Sequence, residues 1–257
     1  IVMAIAIRKP NEIQKLRDAN VIVAKTLNYL NENVKPGMTL KEVDAMGEKF
    51  LTNLGARPSF KGLYGFPGAI CTSLNEVIIH GIPSDVVLKE GDILGLDIGT
   101  ELDGWYGDAA ITMPIGKISK EDEELIACAK DSLLYAIDII HEGMRFKELS
   151  KAIEDFIVAR GYQPLIRFCG HGIGKKPHDE PEIPNYLENG SPKSGPKIKN
   201  GMVFCLEPMI CHKDREPVIL ENDWDVVSSD GLRGSHYEHT VAVINGKAEI
   251  LSTVVDN

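Results

Sequence analysis

The chain repeats itself. PGMTLKEVDAMGEKFLTNLG, residues 36–55, and EGMRFKELSKAIEDFIVARG, residues 142–161, align at an offset of 106 residues. Gly37, Met38, Lys41, Glu42, Phe50 and Gly55 answer Gly143, Met144, Lys147, Glu148, Phe156 and Gly161. Each segment reads as a loop followed by an amphipathic helix that ends at a glycine. Each also follows another helical stretch. Residues 11–33 place Ile13, Leu16, Ala19 and Val23 on one face behind Pro10. Residues 121–140 follow Ser119 and Asp122, which can cap a helix start, and Gly143 stops the run.

The correspondence continues downstream. IIHGIP (78–83) answers CGHGIG (169–174), so His80 matches His171. EGDILGLDIG (90–99) answers NGMVFCLEPM (200–209), with Gly91 and Gly201 each six residues before an acid, Asp97 and Glu207. WYGDAAITM (105–113) answers HYEHTVAVI (236–244), each carrying an acid after a tyrosine, Asp108 and Glu238. Two similar halves, about residues 10–115 and 120–250, imply a duplicated unit of two helices and then strands. The apolar runs 77–79, 93–96, 203–206 and 241–244 are strand-like. The expected fold is α+β with pseudo-two-fold symmetry: one curved, mostly antiparallel sheet with helices packed on one side. The whole chain, 1–257, is expected to be a single catalytic domain, with residues 188–201 a loop excursion inside the second half.

Four acids sit in apolar strand context: Asp97 in ILGLDIG, Asp108 in YGDAAI, Glu207 in VFCLEPM and Glu238 in YEHTVAV. A buried carboxylate is costly without a partner, and no matching number of Lys or Arg lies in these segments. Cations resolve the conflict. Four carboxylates with His171 give two divalent ions a shell of oxygens and one nitrogen, suited to Mn²⁺, Fe²⁺, Co²⁺ or Zn²⁺ rather than to a cysteine-bound structural zinc. Two such ions typically lie about 3.5–4 Å apart and hold a bridging water beside a polarised carbonyl, which is metal-assisted hydrolysis. The net charge of −10 suits cation binding and disfavours nucleic acid or an anionic membrane.

The stretch FCGHGIGKKPHDEP, residues 168–181, sets His171 and His178 among glycines and prolines that exclude a helix. His171 reads as a ligand. His178 and His80 remain to bind the substrate carbonyl or assist a leaving nitrogen near neutral pH. The glycines permit close backbone approach. The five cysteines, Cys71, Cys128, Cys169, Cys205 and Cys211, form no C-x-x-C pair, which fits a reducing compartment and a cytoplasmic protein. No apolar run reaches membrane-spanning length. Ile1 and Val2, ahead of Met3, read as an addition to the chain's own start.

NEVIIHGIP, LDIG, GDAA, GHGIG, LEPM and YEHT, taken jointly and in this order, resemble the methionine aminopeptidases. That resemblance runs from about residue 8 to 250 and implies the pita-bread fold shared with prolidases and creatinase. It implies that Asp97 chelates one metal, that Asp108 and Glu238 bridge both, and that His171 and Glu207 bind the other. His178 would contact the scissile peptide, His80 would orient it, and Glu207 would shuttle a proton. Phe60, Phe66, Cys71 and Trp224 would line an apolar pocket for a methionine side chain. Many relatives have an aromatic residue just before the second histidine, where this chain departs with Pro177. The implied activity is removal of the initiator methionine from nascent polypeptides at the ribosome when the second residue is small. The short segment before the first helix resembles the type I, bacterial-style enzymes rather than prolidases, which carry an extra N-terminal domain. The competing readings are an Xaa-Pro aminopeptidase or prolidase, and a non-enzymatic peptide-binding protein of the same fold. No long apolar surface stripe is evident, so a monomer is expected.

Overall fold

The computed structural model describes residues 4–254; Ile1 and Val2 lie outside them. The first half supplies α1 (Pro10–Asn33), α2 (Leu40–Asn53), β1 (Arg57–Pro58), β2 (Cys71–Leu74), β3 (Val77–Ile79), β4 (Ile93–Leu102) and β5 (Trp105–Pro114). The second supplies α3 (Lys120–Ile139), α4 (Phe146–Val158), β6 (Gln163–Pro164), β7 (Cys169–Gly172), β8 (Asp179–Pro184), β9 (Val203–Leu206), β10 (Met209–Cys211), β11 (Pro217–Ile219), β12 (Val226–Ser228), β13 (Ser235–His236), β14 (Glu238–Ile244) and β15 (Lys247–Ile250).

Helix starts follow local chemistry. Pro10 opens α1, and the Glu12 carboxylate accepts from the Lys9 backbone N–H. Ser119 caps α3 by accepting from Asp122 N, and Thr39 caps α2 through a reciprocal pair with Glu42.

The main sheet has nine strands in the order β1-β4-β5-β14-β9-β7-β8, with β2 beside β4 and β15 beside β14. Every pairing within it is antiparallel. The hairpin β4–β5 from one half meets β14–β9 from the other where Glu238 pairs with Ala110 and His239 with Ala109. The pseudo-symmetry of the sequence therefore becomes a seam at mid-sheet. Two small three-stranded sheets, β13-β10-β6 and β11-β12-β3, complete the strands.

Side-chain alternation along these strands separates the core from the site. Leu94, Leu96, Ile98, Ala109 and Met113 pack with α1 and α2 residues in one cluster. Phe204, Leu206, Val241 and Val243 pack with α3 and α4 residues in another. The registers put all of these on one face, so the four helices cover a single side of the curled sheet. Residues of opposite parity, Asp97, Asp108 and Glu238 among them, turn to the other side. Gly107 lets α1 approach closely: a Cβ there would stand 2.8 Å from the Ala19 carbonyl carbon and Asn20 N. The buried Asn20 uses that proximity to accept from Asp108 N at 3.1 Å.

Phe204 is fully buried and meets Phe146 edge-on, ring centroids 5.3 Å apart. Phe204→Ala is expected to cost about 3–5 kcal/mol of stability, read by urea unfolding, since β9 is held between β14 and β7 and cannot collapse into the void.

Candidate metal centre

Strand register alone brings the carboxylates together. Asp97 pairs with Ala110 across β4–β5, and Ala110 pairs on its other side with Glu238. Asp108 lies two residues before Ala110, on the same face. His239 pairs with Leu206, so Glu207, the first residue after β9, comes beside Glu238. Gly172 pairs with Phe204, which places His171 beside Cys205, two residues before Glu207. A side chain at Gly172 would not fit, since its Cβ would stand 2.1 Å from the Glu180 carbonyl oxygen. The glycine thus lets β8 close on β7 and fixes His171 in place.

His171 Nε2 lies 3.4 Å from Glu207 Oε1, 3.9 Å from Glu238 Oε1 and 4.0 Å from Asp108 Oδ2. Its Nδ1 lies 3.0 Å from the Gly172 carbonyl oxygen. A carbonyl only accepts, so Nδ1 carries the proton and the neutral ring presents a bare Nε2 lone pair to the carboxylates. Burial lowers the His171 pKa to about 3, with His178 adding to the effect, so the ring is neutral. Ligating atoms of Asp108, His171, Cys205 and Glu238 lie within 4.8 Å of one another, as do those of Glu207, His236 and Glu238. Asp97 falls outside both groups but shares their face and lines the same cavity.

Three of these acids carry an oxygen without a partner. Asp97 Oδ1, Asp108 Oδ1 and Glu238 Oε1 are buried without a hydrogen bond. Burial raises Asp97 to about 6. Burial, then repulsion by neighbouring carboxylates, pushes Asp108, Glu207 and Glu238 well above the usual carboxylate range. Among the described residues, the only nitrogen bases within 4.0 Å of the four acids are His171 and His236, both with lowered pKa through burial. Four clustered acids, three of them with an orphaned buried oxygen and, among the described residues, none paired with Lys or Arg, fit a divalent cation centre.

The backbone around the acids is tightly held. Thr240 Oγ1 donates to the Asp108 carbonyl at 2.7 Å. With that proton committed, the contact of Cys205 Sγ with Thr240 Oγ1 at 3.4 Å makes the thiol the donor.

The acids form the floor of a cavity of about 490 Å³. Phe60, Phe66, Cys71 and Trp224 all lie on its wall, and Phe66 meets Trp224 edge-on at 5.0 Å. His80 and His178 line it too. The His178 ring stands 4.5 Å from that of His171, and His80 sits edge-on to Phe168 and Trp224. Pro177 is not among the lining residues. The aromatic ring stacked towards His178 is instead Tyr64, at 6.4 Å and 79% exposed at the mouth.

Two neighbours of the acids escape a reading of the sequence alone, Cys205 and His236. Cys205 stands two residues before Glu207 and shares its face by strand alternation, a signal the sequence offers; His236 ends β13, a strand of a different sheet from Glu238, and carries no such local signal.

Burial, with His236 and His178 nearby, lowers His80 from 6.5 to about 4. Unfolded protein then binds this proton more readily than folded protein. The stability linked to neutral His80 is full above pH 6.5 and is lost as pH falls from there towards 4, by up to about 3 kcal/mol. Urea unfolding of metal-free protein at about pH 7 and about pH 5 should show a smaller acid loss for His80→Gln than for the parent.

A curled antiparallel sheet that gathers four carboxylates and an imidazole under an apolar cavity defines a metal-dependent hydrolase. Residues 14–245 match metallopeptidase family M24. The methionine aminopeptidase of Helicobacter pylori is 61% identical over 251 residues, covering 97% of this chain and 99% of the relative. Methionine aminopeptidase 1 of Bacillus subtilis is 40% identical, covering 96% and 98%. The crystal structure of a methionine aminopeptidase from Thermotoga maritima superposes with a TM-score of 0.94 at 35% identity, covering 98% of this chain and all of that one. Prolidase from Pyrococcus furiosus shares the fold, TM-score 0.79 at 23% identity, and this chain covers 66% of it. The chain belongs to the methionine aminopeptidases of metallopeptidase family M24, which have the pita-bread fold.

Proposed function

We propose that the chain, acting as one catalytic domain, removes N-terminal methionine from polypeptides with two divalent ions held by Asp97, Asp108, His171, Glu207 and Glu238. The observation that carries this reading is the set of buried, unpartnered carboxylate oxygens under an apolar cavity, on a chain 61% identical to a methionine aminopeptidase. Asp108 and Glu238, central on the seam, suit bridging positions; His171 and Glu207, 3.4 Å apart, suit one ion, and Asp97 the other. Manganese, iron, cobalt and zinc all accept this donor set. When bound, the ions polarise the scissile carbonyl and lower the pKa of adjacent water.

The chain's own groups do the rest. Phe60, Phe66, Cys71 and Trp224 exclude water from around a methionine side chain and hold the terminal residue at the cavity floor. Neutral His178, beside His171, hydrogen-bonds the scissile peptide, and neutral His80 orients its nitrogen. Glu207, poised between two imidazoles, takes a proton from attacking water and passes it to the leaving amine. A small second residue fits where Tyr64 and His178 narrow the mouth. The proposed setting is the cytoplasm, on nascent chains at the ribosome, as a monomer. The five free cysteines support the reducing setting of the cytoplasm.

A release assay on metal-stripped protein tests the reading. Met-Ala-Ser should lose methionine only after Mn²⁺ or Co²⁺ is restored, whereas Leu-Ala-Ser and Ala-Pro should stay intact. Cleavage of Ala-Pro would move the chain to the prolidase side of the fold, and no release with any metal would leave a binding protein.

A further inference from the structure

We propose that His236 is a positioning residue for the metal centre: its Nε2–H holds Glu207 Oε2 so that Oε1 is presented to the ion. The inference rests on the metal-centre reading above and extends it to a residue outside the five proposed ligands.

The Glu207 carboxylate stands between two imidazoles. Oε1 lies 3.4 Å from His171 Nε2, and Oε2 lies 3.6 Å from His236 Nε2. His236 is buried, and its Nε2 has no hydrogen-bond partner. A buried ring nitrogen without a partner is costly, and Glu207 Oε2 stands only a few tenths of an ångström beyond hydrogen-bond reach. Rotation of the carboxylate alone can close that gap, because both backbones are pinned. His236 N donates to Thr112 Oγ1 at 3.0 Å, and Thr112 Oγ1 donates to the His236 carbonyl at 2.9 Å. His236 also pairs with Met209 across β10–β13. Asn185 Nδ2 donates to the Glu207 carbonyl at 3.0 Å. What stays free is the orientation of the Glu207 carboxylate, and His236 is the group aimed at it.

The two imidazoles then have opposite tasks. His171 commits its Nδ1 proton to a carbonyl and offers a bare Nε2, whereas His236 offers Nε2–H and makes no bond to metal. Partners that orient a ligating carboxylate in this way typically account for about 10–100-fold in metal affinity.

The test is cobalt binding to metal-stripped protein, by calorimetry and by the visible absorption of bound Co²⁺. His236→Phe keeps the ring's bulk and removes the donor; it should weaken cobalt affinity by about 10–100-fold. His236→Gln restores a donor at similar reach and should return affinity to within about threefold of the parent, with the parent's absorption spectrum. Thermal unfolding of the metal-free variants should match the parent, which separates positioning from a general loss of structure. Unchanged affinity in His236→Phe would overturn the inference. So would failure of Gln to rescue together with a shifted absorption band, since that would make His236 a ligand. Asp108→Ala runs alongside: equal cobalt uptake by it and the parent would remove the metal-centre reading itself, and this inference with it.

Discussion

Asp108→Ala is expected to lose cobalt or manganese at the shared position and to lose peptidase activity with it, while the metal-free protein folds as before. The asymmetry follows from how Asp108 is held. Its backbone is fixed by other residues, with Asn20 accepting from its N–H and Thr240 donating to its carbonyl, so truncation leaves β5 in place. Its carboxyl group contributes no hydrogen bond through Oδ1 and faces three further acids whose charges raise its pKa. Removing it relieves repulsion and opens a small void. The two effects oppose each other, so metal-free stability should stay within about 1 kcal/mol of the parent. Metal affinity should behave differently, because a position at mid-seam serves both halves of the proposed centre. Metal content after dialysis, methionine release from Met-Ala-Ser and urea unfolding of stripped protein separate these outcomes. An active variant with a full complement of metal would refute the bridging role, and a stripped variant that fails to fold would show that the carboxyl group is structural.

What the sequence displays and what it hides divide along physical lines. The helices 10–33 and 120–139 are legible because their apolar period and their caps are local. The four acids are legible because each interrupts an apolar strand run and recurs in the duplicate half. The Asp97–Ala110 pair then follows from continuing the β4–β5 hairpin, whereas Ala110–Glu238 is set only where the two halves meet at the seam. Trp224 is less legible. It stands in a polar run and reaches the cavity only because β12 pairs with β3, a contact fixed by Ile82 N donating to Asp225 Oδ1 from far along the chain. The surroundings of Pro177 are also visible only in three dimensions. The chain reverses there before β8, and the ring beside His178 comes from Tyr64, in the loop before β2. His236 stays hidden because its meaning lies in a gap of 3.6 Å to a residue on another strand.

His178→Ala should leave metal binding near that of the parent and lower kcat/KM by about 10²–10⁴-fold, the usual scale for a lost acid–base or hydrogen-bonding group. The position explains the division. His178 lies between β7 and β8, its ring 4.5 Å from that of His171, and among the described residues no carboxylate oxygen comes within 4.0 Å of its nitrogens. It therefore adds nothing to the shell around the acids. It does line the cavity, where the proposed role has it meet the scissile peptide. Burial lowers its pKa, so the ring is neutral near pH 7 and can donate to a carbonyl oxygen without adding charge beside the metal. A hydrogen bond that tightens as the carbonyl becomes tetrahedral acts mainly on kcat, so KM for Met-Ala-Ser should change less than kcat. Cobalt titration of the same variant decides between roles. Parent-like affinity with depressed turnover fits a substrate-facing histidine, whereas lost affinity would place His178 in the metal shell and require another residue to hold the peptide.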